Sequence, residues 1–328
     1  MKCINFIKRS QINHLKLMNT LIANLNFNAK EIKNQSFVLE NSNTFKLFIK
    51  REDEIHPVIS GNKYRKLKYN IDAAKKEGNR VLLTFGGAFS NHIAAIAAAG
   101  RTYGFKTIGI IRGEELANEI NKNATLKYAK ACGMHFKFIS RTAYRNKKNT
   151  DFIAALKNEF GDFYCIPEGG TNNLAIEGCK EILTEADSSF NYICVSVGTG
   201  GTIAGIINSS QPHQKVLGFS ALKGDFLKED ICKFAKQDNW ELITDYHFGG
   251  YAKINNELIT FINTFKADSN IQLDPIYTGK MLYGIQDMIN KNYFPKGSKI
   301  LVIHTGGLQG IAGMNAKLKQ KNLPLITI

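Results

Sequence analysis

Three stretches that each open on glycine hold the residues of this 328-residue sequence whose types and spacing could do chemistry. The first is Gly198-Thr199-Gly200-Gly201-Thr202, which follows the apolar run Tyr192–Val197 and leads into Ile203-Ala204-Gly205. Glycines let backbone N–H groups turn inward, and a helix N-terminus adds about half a positive charge, so such a loop suits a phosphate. A P-loop would need Gly-Lys-Ser/Thr, GxGxxG would need glycine where Ile203 stands, and no acid follows at the dinucleotide spacing. A tight strand–helix turn with no ligand would use the same glycines. Phosphate binding without nucleotide recognition fits a phosphorylated cofactor.

The second stretch is Gly86-Gly87-Ala88-Phe89-Ser90-Asn91-His92. Ser90 stands where a helix N-cap would, ahead of Ile93 and an alanine-rich run. Capping accounts for one hydroxyl. The Ser90-Asn91-His92 cluster would further offer a hydroxyl, an amide and a helix N-terminus to a small carboxylate. The third is Gly61-Asn62-Lys63-Tyr64-Arg65-Lys66-Leu67, at the start of a helical pattern. Lysines are usually surface residues. One near a helix N-terminus, beside Arg65, Lys66 and Lys68, has its ammonium form disfavoured and can act as a neutral nucleophile that forms a Schiff base. Spacing leaves both Lys63 and Lys66 open for that role.

A phosphate cradle, a carboxylate-binding turn and an activated lysine together point to pyridoxal 5'-phosphate and an amino-acid substrate. From about Phe45 onward the sequence resembles the 1-aminocyclopropane-1-carboxylate deaminase and D-cysteine desulfhydrase family, within the tryptophan-synthase-β-like (fold-type II) pyridoxal-phosphate enzymes. The resemblance rests on these three stretches and on Ile49-Lys50-Arg51-Glu52-Asp53, Pro167-Glu168-Gly169-Gly170-Thr171-Asn172, Asp274-Pro275-Ile276-Tyr277-Thr278-Gly279-Lys280 and His304-Thr305-Gly306-Gly307, seven motifs in order. Residues 1 to about 30 have no counterpart.

The resemblance implies that Lys63 carries the cofactor, that Ser90 meets the substrate carboxylate with Asn91 and His92 beside it, and that Asn91 meets the cofactor's ring hydroxyl. It further implies that Gly198, Thr199, Gly200, Gly201 and Thr202 bind the phosphate and that Tyr277 and Tyr251 are active-site tyrosines. Tyr251 lies in His247-Phe248-Gly249-Gly250-Tyr251, which departs from the commoner Gly-Tyr-Gly form. Two α/β domains with the cofactor between them, a homodimer, and a part in amino-acid catabolism are implied as well. The smaller domain would be residues 66–170, inserted into a larger one made of 1–65 and 171–328.

Two positions separate the subgroups. The deaminases resemble Asp-Pro-Val-Tyr-Glu-Gly-Lys, with the Glu reaching the pyridine nitrogen, and His-Leu-Gly-Gly. This chain has Thr278 and Thr305 there, matching the desulfhydrase pattern. A carboxylate on the pyridine strengthens the electron sink, as opening a cyclopropane without an α-hydrogen demands. β-Elimination from D-cysteine needs only loss of the α-proton and departure of sulfide, for which a neutral hydroxyl suffices. The expected activity is D-cysteine desulfhydration, with Lys63 as base and Ser90 or Tyr277 as alternatives, and 1-aminocyclopropane-1-carboxylate deamination is the competing expectation.

These residues must be positioned by a scaffold, and the sequence supplies one. Strand patterns at Val81–Phe85, Thr107–Ile111, His135–Ile139, Phe163–Ile166, Tyr192–Val197, Lys215–Ser220 and Lys299–His304 alternate with helical patterns at Asn91–Thr102, Glu115–Ala131, Asn173–Glu185, Thr202–Ser209 and Met281–Lys291. Buried apolar strands separated by helices predict an α/β fold with open, mostly parallel sheets. In such sheets ligands lie beyond the carboxyl ends of the strands, where the first two stretches fall. The polar segment Arg141–Thr150 reads as a surface loop.

Composition narrows the rest. With 44% hydrophobic and 22% charged residues the chain is neither disordered nor fibrous. Six scattered cysteines without a CxxC pair predict reduced thiols in a cytoplasmic protein with no metal site. No apolar stretch reaches the ~20 residues of a membrane span. The net charge of +15 invites a nucleic-acid reading, yet the lysines are dispersed with no run of five, so neither nucleic acid nor membrane is expected as a partner. A non-catalytic cofactor- or nucleic-acid-binding protein is the reading from another class, favoured only by that charge. Residues 1–17 hold four basic residues and no acid ahead of Met18, which reads as a leader or an upstream start.

Overall fold

Ten strands in a computed structural model, which describes residues 31–328, build two sheets. The leader expected over residues 1–17 lies outside the described residues. β1 (Asn34–Phe37) and β2 (Lys46–Lys50) pair antiparallel at one edge of a six-stranded sheet. Its order is completed by β10 (Lys299–Ile303), β7 (Tyr192–Val197), β8 (Lys215–Ser220) and β9 (Trp240–Ile243), all parallel to β2. The four-stranded sheet runs β5 (His135–Ile139), β4 (Lys106–Arg112), β3 (Val81–Gly86) and β6 (Tyr164–Ile166), parallel throughout. Its strands come from one continuous stretch of chain between β2 and β7.

Alternation along the strands divides the core. Ile193, Val195 and Val197 of β7 join the cluster with the helix Gly201–Ser209, while Cys194 faces the helices Asn256–Ser269 and Thr278–Asn290 on the other side. In the smaller sheet Leu82 packs toward the helices Asn62–Lys76 and Asn91–Tyr103, and Leu83 and Phe85 face the opposite layer. Each fully buried Leu, Ile or Phe contributes about 1.5–3 kcal/mol. Apolar runs buried on both faces are what a parallel sheet demands.

The helix Asn62–Lys76 spans the division expected at residue 65/66. Its first turn meets the large sheet's loops while Leu67, Ile71 and Ala74 pack on the small sheet's layer. The helix Asn173–Lys180 lies so close to it that a Cβ on Gly178 would come within 1.9 Å of the Arg65 carbonyl.

Three expected elements differ. The helix expected over Glu115–Ala131 is broken into a 3-10 segment, Glu114–Lys122, and a helix, Ala124–Ala131. Asn123 in extended conformation caps the second piece by accepting from Leu126 N–H, competing with helical continuity. The helix expected to reach Glu185 ends at Lys180. The surface loop expected at Arg141–Thr150 contains a helical turn, Arg141–Tyr144, that buries Tyr144. Among the described residues no helix is long and apolar enough to cross a membrane.

Candidate active site

The site forms where β2, β3, β7 and β10 deliver their following segments to one cleft. Gly61 opens the lysine helix at φ +62°, and a Cβ there would lie 2.0 Å from the Thr305 carbonyl oxygen, so only glycine permits this approach. Asn62 N–H donates to the same carbonyl at 3.3 Å. The Asn62 amide donates to Thr202 Oγ1 at 2.8 Å, tying the lysine helix to the glycine loop after β7.

Geometry separates the two candidate lysines. Lys66 is 1% exposed, and its Nζ donates to Gly169 O (3.0 Å), Thr171 Oγ1 (3.1 Å) and Thr199 Oγ1 (3.4 Å). Those three acceptors use all three ammonium protons. Among the described residues Lys63 Nζ has one bond, a long 3.3 Å contact to Asn62 Oδ1. Burial, and next the charge of Lys66, lower Lys63 from its ordinary 10.5 to about 7. The expected contributions of Arg65 and Lys68 fall away. Arg65 forks onto Glu52 at 2.8 and 2.9 Å, and Lys68 holds Glu181 at 2.8 Å, which neutralises both.

Gly200 adopts φ +78° ahead of the helix Gly201–Ser209, whose first turn has neither a side-chain cap nor an acid. Its leading N–H groups are therefore free to receive an anion. A Cβ on Gly201 would meet Thr171 Oγ1 at 2.8 Å and Lys66 Nζ at 3.1 Å. A Cβ on Gly198 would come 3.1 Å from the Tyr277 hydroxyl.

Ser90 caps its helix by accepting from His92 N–H (3.2 Å) and Ile93 N–H (3.4 Å), which leaves its own proton to donate. Asn91 reaches the other sheet's loops: its Oδ1 accepts from Gln309 Nε2 at 3.2 Å, and a Cβ on Gly307 would lie 2.6 Å from its Nδ2. His92 does not present its ring to a carboxylate as expected. One residue further round the helix, the ring turns into the small sheet, 1% exposed, with Nε2 2.8 Å from Thr84 Oγ1. Burial, then Lys63 and Lys66, push it well below its ordinary value.

Thr278 is corrected as well. It is fully buried, its hydroxyl donates to Asp274 Oδ1 (2.8 Å) and accepts from Asp274 N–H (2.9 Å), and so it offers no surface to a pyridine ring. The Asp274 carboxylate also accepts from the N–H groups of Ile276, Tyr277 and Thr278, fixing the start of the helix Thr278–Asn290, the tyrosine helix, which Tyr277 precedes. Thr305, at the end of β10, keeps its hydroxyl 3.2 Å from Ser196 Oγ on neighbouring β7. The Tyr251 and Tyr277 rings meet edge to face, with centroids 6.3 Å apart. Burial raises Tyr277 well above its ordinary value, so it is a neutral proton donor.

Asn62, Lys66, Ser196 and Asp274 were not expected as supports of the site. Asp274 had a sequence signal, an acid with the Asp-x-x-x-Thr spacing ahead of a helix. The others depend on contacts between distant segments.

The chain is similar to known proteins over most of its length. The family described as "pyridoxal-phosphate dependent enzyme" matches residues 35–306. The chain belongs to that family. A Pyrococcus horikoshii protein provisionally named 1-aminocyclopropane-1-carboxylate deaminase is 33% identical over 300 residues, covering 83% of this chain and 87% of that protein. The Arabidopsis thaliana bifunctional D-cysteine desulfhydrase/1-aminocyclopropane-1-carboxylate deaminase is 32% identical over 298 residues, covering 82% and 74%. The crystal structure of an ACC deaminase homologue superposes with a TM-score of 0.78 at 28% identity, over 92% of this chain and 98% of that one. The fold is that of the tryptophan-synthase-β-like, fold-type II enzymes.

The residues present fit pyridoxal phosphate. The uncapped helix N-terminus behind Gly200 would receive the phosphate, and Lys66 Nζ lies 3.1 Å from where a Cβ on Gly201 would stand. Lys63 supplies an amine whose bonds are not already spent.

Proposed function

We propose that this pyridoxal-phosphate enzyme is a lyase of D-cysteine desulfhydrase type, converting D-cysteine and water to pyruvate, ammonia and hydrogen sulfide. The reading is carried by one observation. At the position after Tyr277 the chain has a buried threonine spent on Asp274, and the hydroxyl left at the other discriminating position is the neutral one of Thr305. Such a site suits a substrate that already has an α-proton to give and a good leaving group.

The steps follow from the chain's own groups. Ser90 donates its free proton to the substrate carboxylate, aided by the N-terminus of its helix. Pyridoxal phosphate, when bound, supplies the electron sink that lets the α-C–H bond break. Lys63, kept near neutrality by burial and Lys66, takes the α-proton as the free amine. Tyr277, with Tyr251 against it, holds a proton for the departing sulfide as the Cβ–S bond breaks. The released enamine hydrolyses to pyruvate and ammonia.

The second reading is 1-aminocyclopropane-1-carboxylate deamination, favoured by the bifunctional Arabidopsis relative. Separate incubations with D-cysteine and with 1-aminocyclopropane-1-carboxylate decide the matter. Sulfide and pyruvate from the first support the proposal, and 2-oxobutyrate from the second without sulfide from the first overturns it.

A further inference from the structure

The loop that carries Tyr251 follows a backbone path that most residues avoid. Phe248 (φ 55°), Gly249 (90°), Gly250 (116°) and Ala252 (56°) all have positive φ. For non-glycine residues this costs about 1–2 kcal/mol each, so Phe248 and Ala252 are held there by their surroundings. Within the loop, Gly249 N–H donates to His247 Nδ1 (2.8 Å) and Gly250 N–H to His247 O (3.0 Å).

A further restraint comes from a charged side chain of another element. Lys280, in the tyrosine helix and only 2% exposed, donates through Nζ to His247 O at 2.8 Å and to Gly250 O at 2.9 Å. Neither of these two acceptors is a carboxylate. A lysine ammonium is costly to bury, and this one is given over to two backbone carbonyls flanking the strained turn, the second belonging to the residue before Tyr251. Asp274, six residues upstream in the same motif, fixes the N–H of Tyr277 at 3.0 Å. One short segment therefore anchors both tyrosines, Tyr277 through Asp274 and the turn beside Tyr251 through Lys280.

We propose that Lys280 is a positioning residue that holds Tyr251 against Tyr277 by clamping the carbonyls of His247 and Gly250. The inference rests on the reading of Tyr251 as an active-site residue. Without the amine His247 O keeps only the Gly250 N–H and Gly250 O only the Lys253 N–H (3.2 Å), both bonds internal to the loop, so the strained turn relaxes and Tyr251 leaves the cleft.

Two measurements on the holoenzyme test this, with D-cysteine as substrate. Lys280→Met is expected to keep the bound cofactor's visible absorbance while trypsin cuts after Lys253 about 10-fold faster. Its kcat falls to within about twofold of Tyr251→Phe with KM little altered, and combining the two changes costs less than about twofold more. Lys280→Gln, which retains two N–H donors, falls between and carries the test if the methionine variant does not fold. An unaltered cleavage rate at Lys253 overturns the clamp, as does a double variant whose loss equals the product of the single losses. Rapid cleavage combined with wild-type kcat in Tyr251→Phe upholds the clamp and overturns the catalytic part assigned to Tyr251.

Discussion

Asp274 and the Thr278 hydroxyl exchange two hydrogen bonds, the hydroxyl donating to the carboxylate at 2.8 Å and accepting from the aspartate N–H at 2.9 Å. The pair closes the first turn of the tyrosine helix in the protein interior. Thr278→Val removes both bonds and leaves a buried carboxylate with one donor fewer, an expected loss of about 1–3 kcal/mol. Denaturant unfolding measures it. Stability within ~0.5 kcal/mol of wild type would contradict this account of Thr278 as a structural residue.

Lys63 and Lys66 should fail in different ways. Lys63→Ala is expected to bind cofactor without the visible absorbance that borohydride abolishes. Lys66→Met should keep that absorbance while the cofactor's affinity falls roughly 10- to 100-fold, since the amine under the glycine loop is a charge-assisted contact worth about 1.5–3 kcal/mol. Absorbance titration of cofactor-free protein distinguishes them. The reverse pattern would move the attachment point to Lys66.

The lowered basicity of Lys63 links stability to pH in the cofactor-free protein. Its folded value of about 7 lies below the ordinary 10.5, so between these limits the unfolded chain holds a proton that the folded protein has shed. Stability from this group must therefore rise with pH above about 7, and the penalty of a buried ammonium is full below it. Between pH 7 and 8.5 the wild type is expected to gain up to about 1 kcal/mol per pH unit more than Lys63→Met, allowing for partial solvent access. Parallel stability curves for the two proteins would refute it.

Gly61→Ala should be among the most damaging single-methyl additions. The new Cβ would lie 2.0 Å from a backbone carbonyl that cannot rotate away, at a φ of +62° that alanine resists. Strain of this kind costs several kcal/mol, of the order of 3 or more, and should cost cofactor binding too because Lys63 follows two residues later. Thermal unfolding with and without pyridoxal phosphate reads both effects.

Local sequence carried much of the architecture. The runs Val81–Phe85 and Tyr192–Val197 were legible as buried strands because parallel strands are apolar on both faces. The glycine loop and Ser90 were legible because anion-binding turns and N-caps use few residue types. The break at Asn123 was not, since a helical pattern continues across it while a local side-chain bond interrupts the backbone.

What the sequence by itself determined was the chemistry available: an amine at a helix start, a glycine loop after a strand and a capping hydroxyl after another, in an α/β fold. Which lysine stays reactive, where the ring of His92 turns and whether Thr278 can meet a ligand were decided by the tertiary structure alone. The first two depend on partners from other elements, Gly169, Thr171 and Thr199 around Lys66 and Thr84 beside His92, while Thr278 spends its hydroxyl on Asp274 four residues before it and is sealed off by the packing around both. A side chain's donors and acceptors are spent on whatever packing brings within about 3 Å, and that geometry exists only once the two sheets have closed on each other.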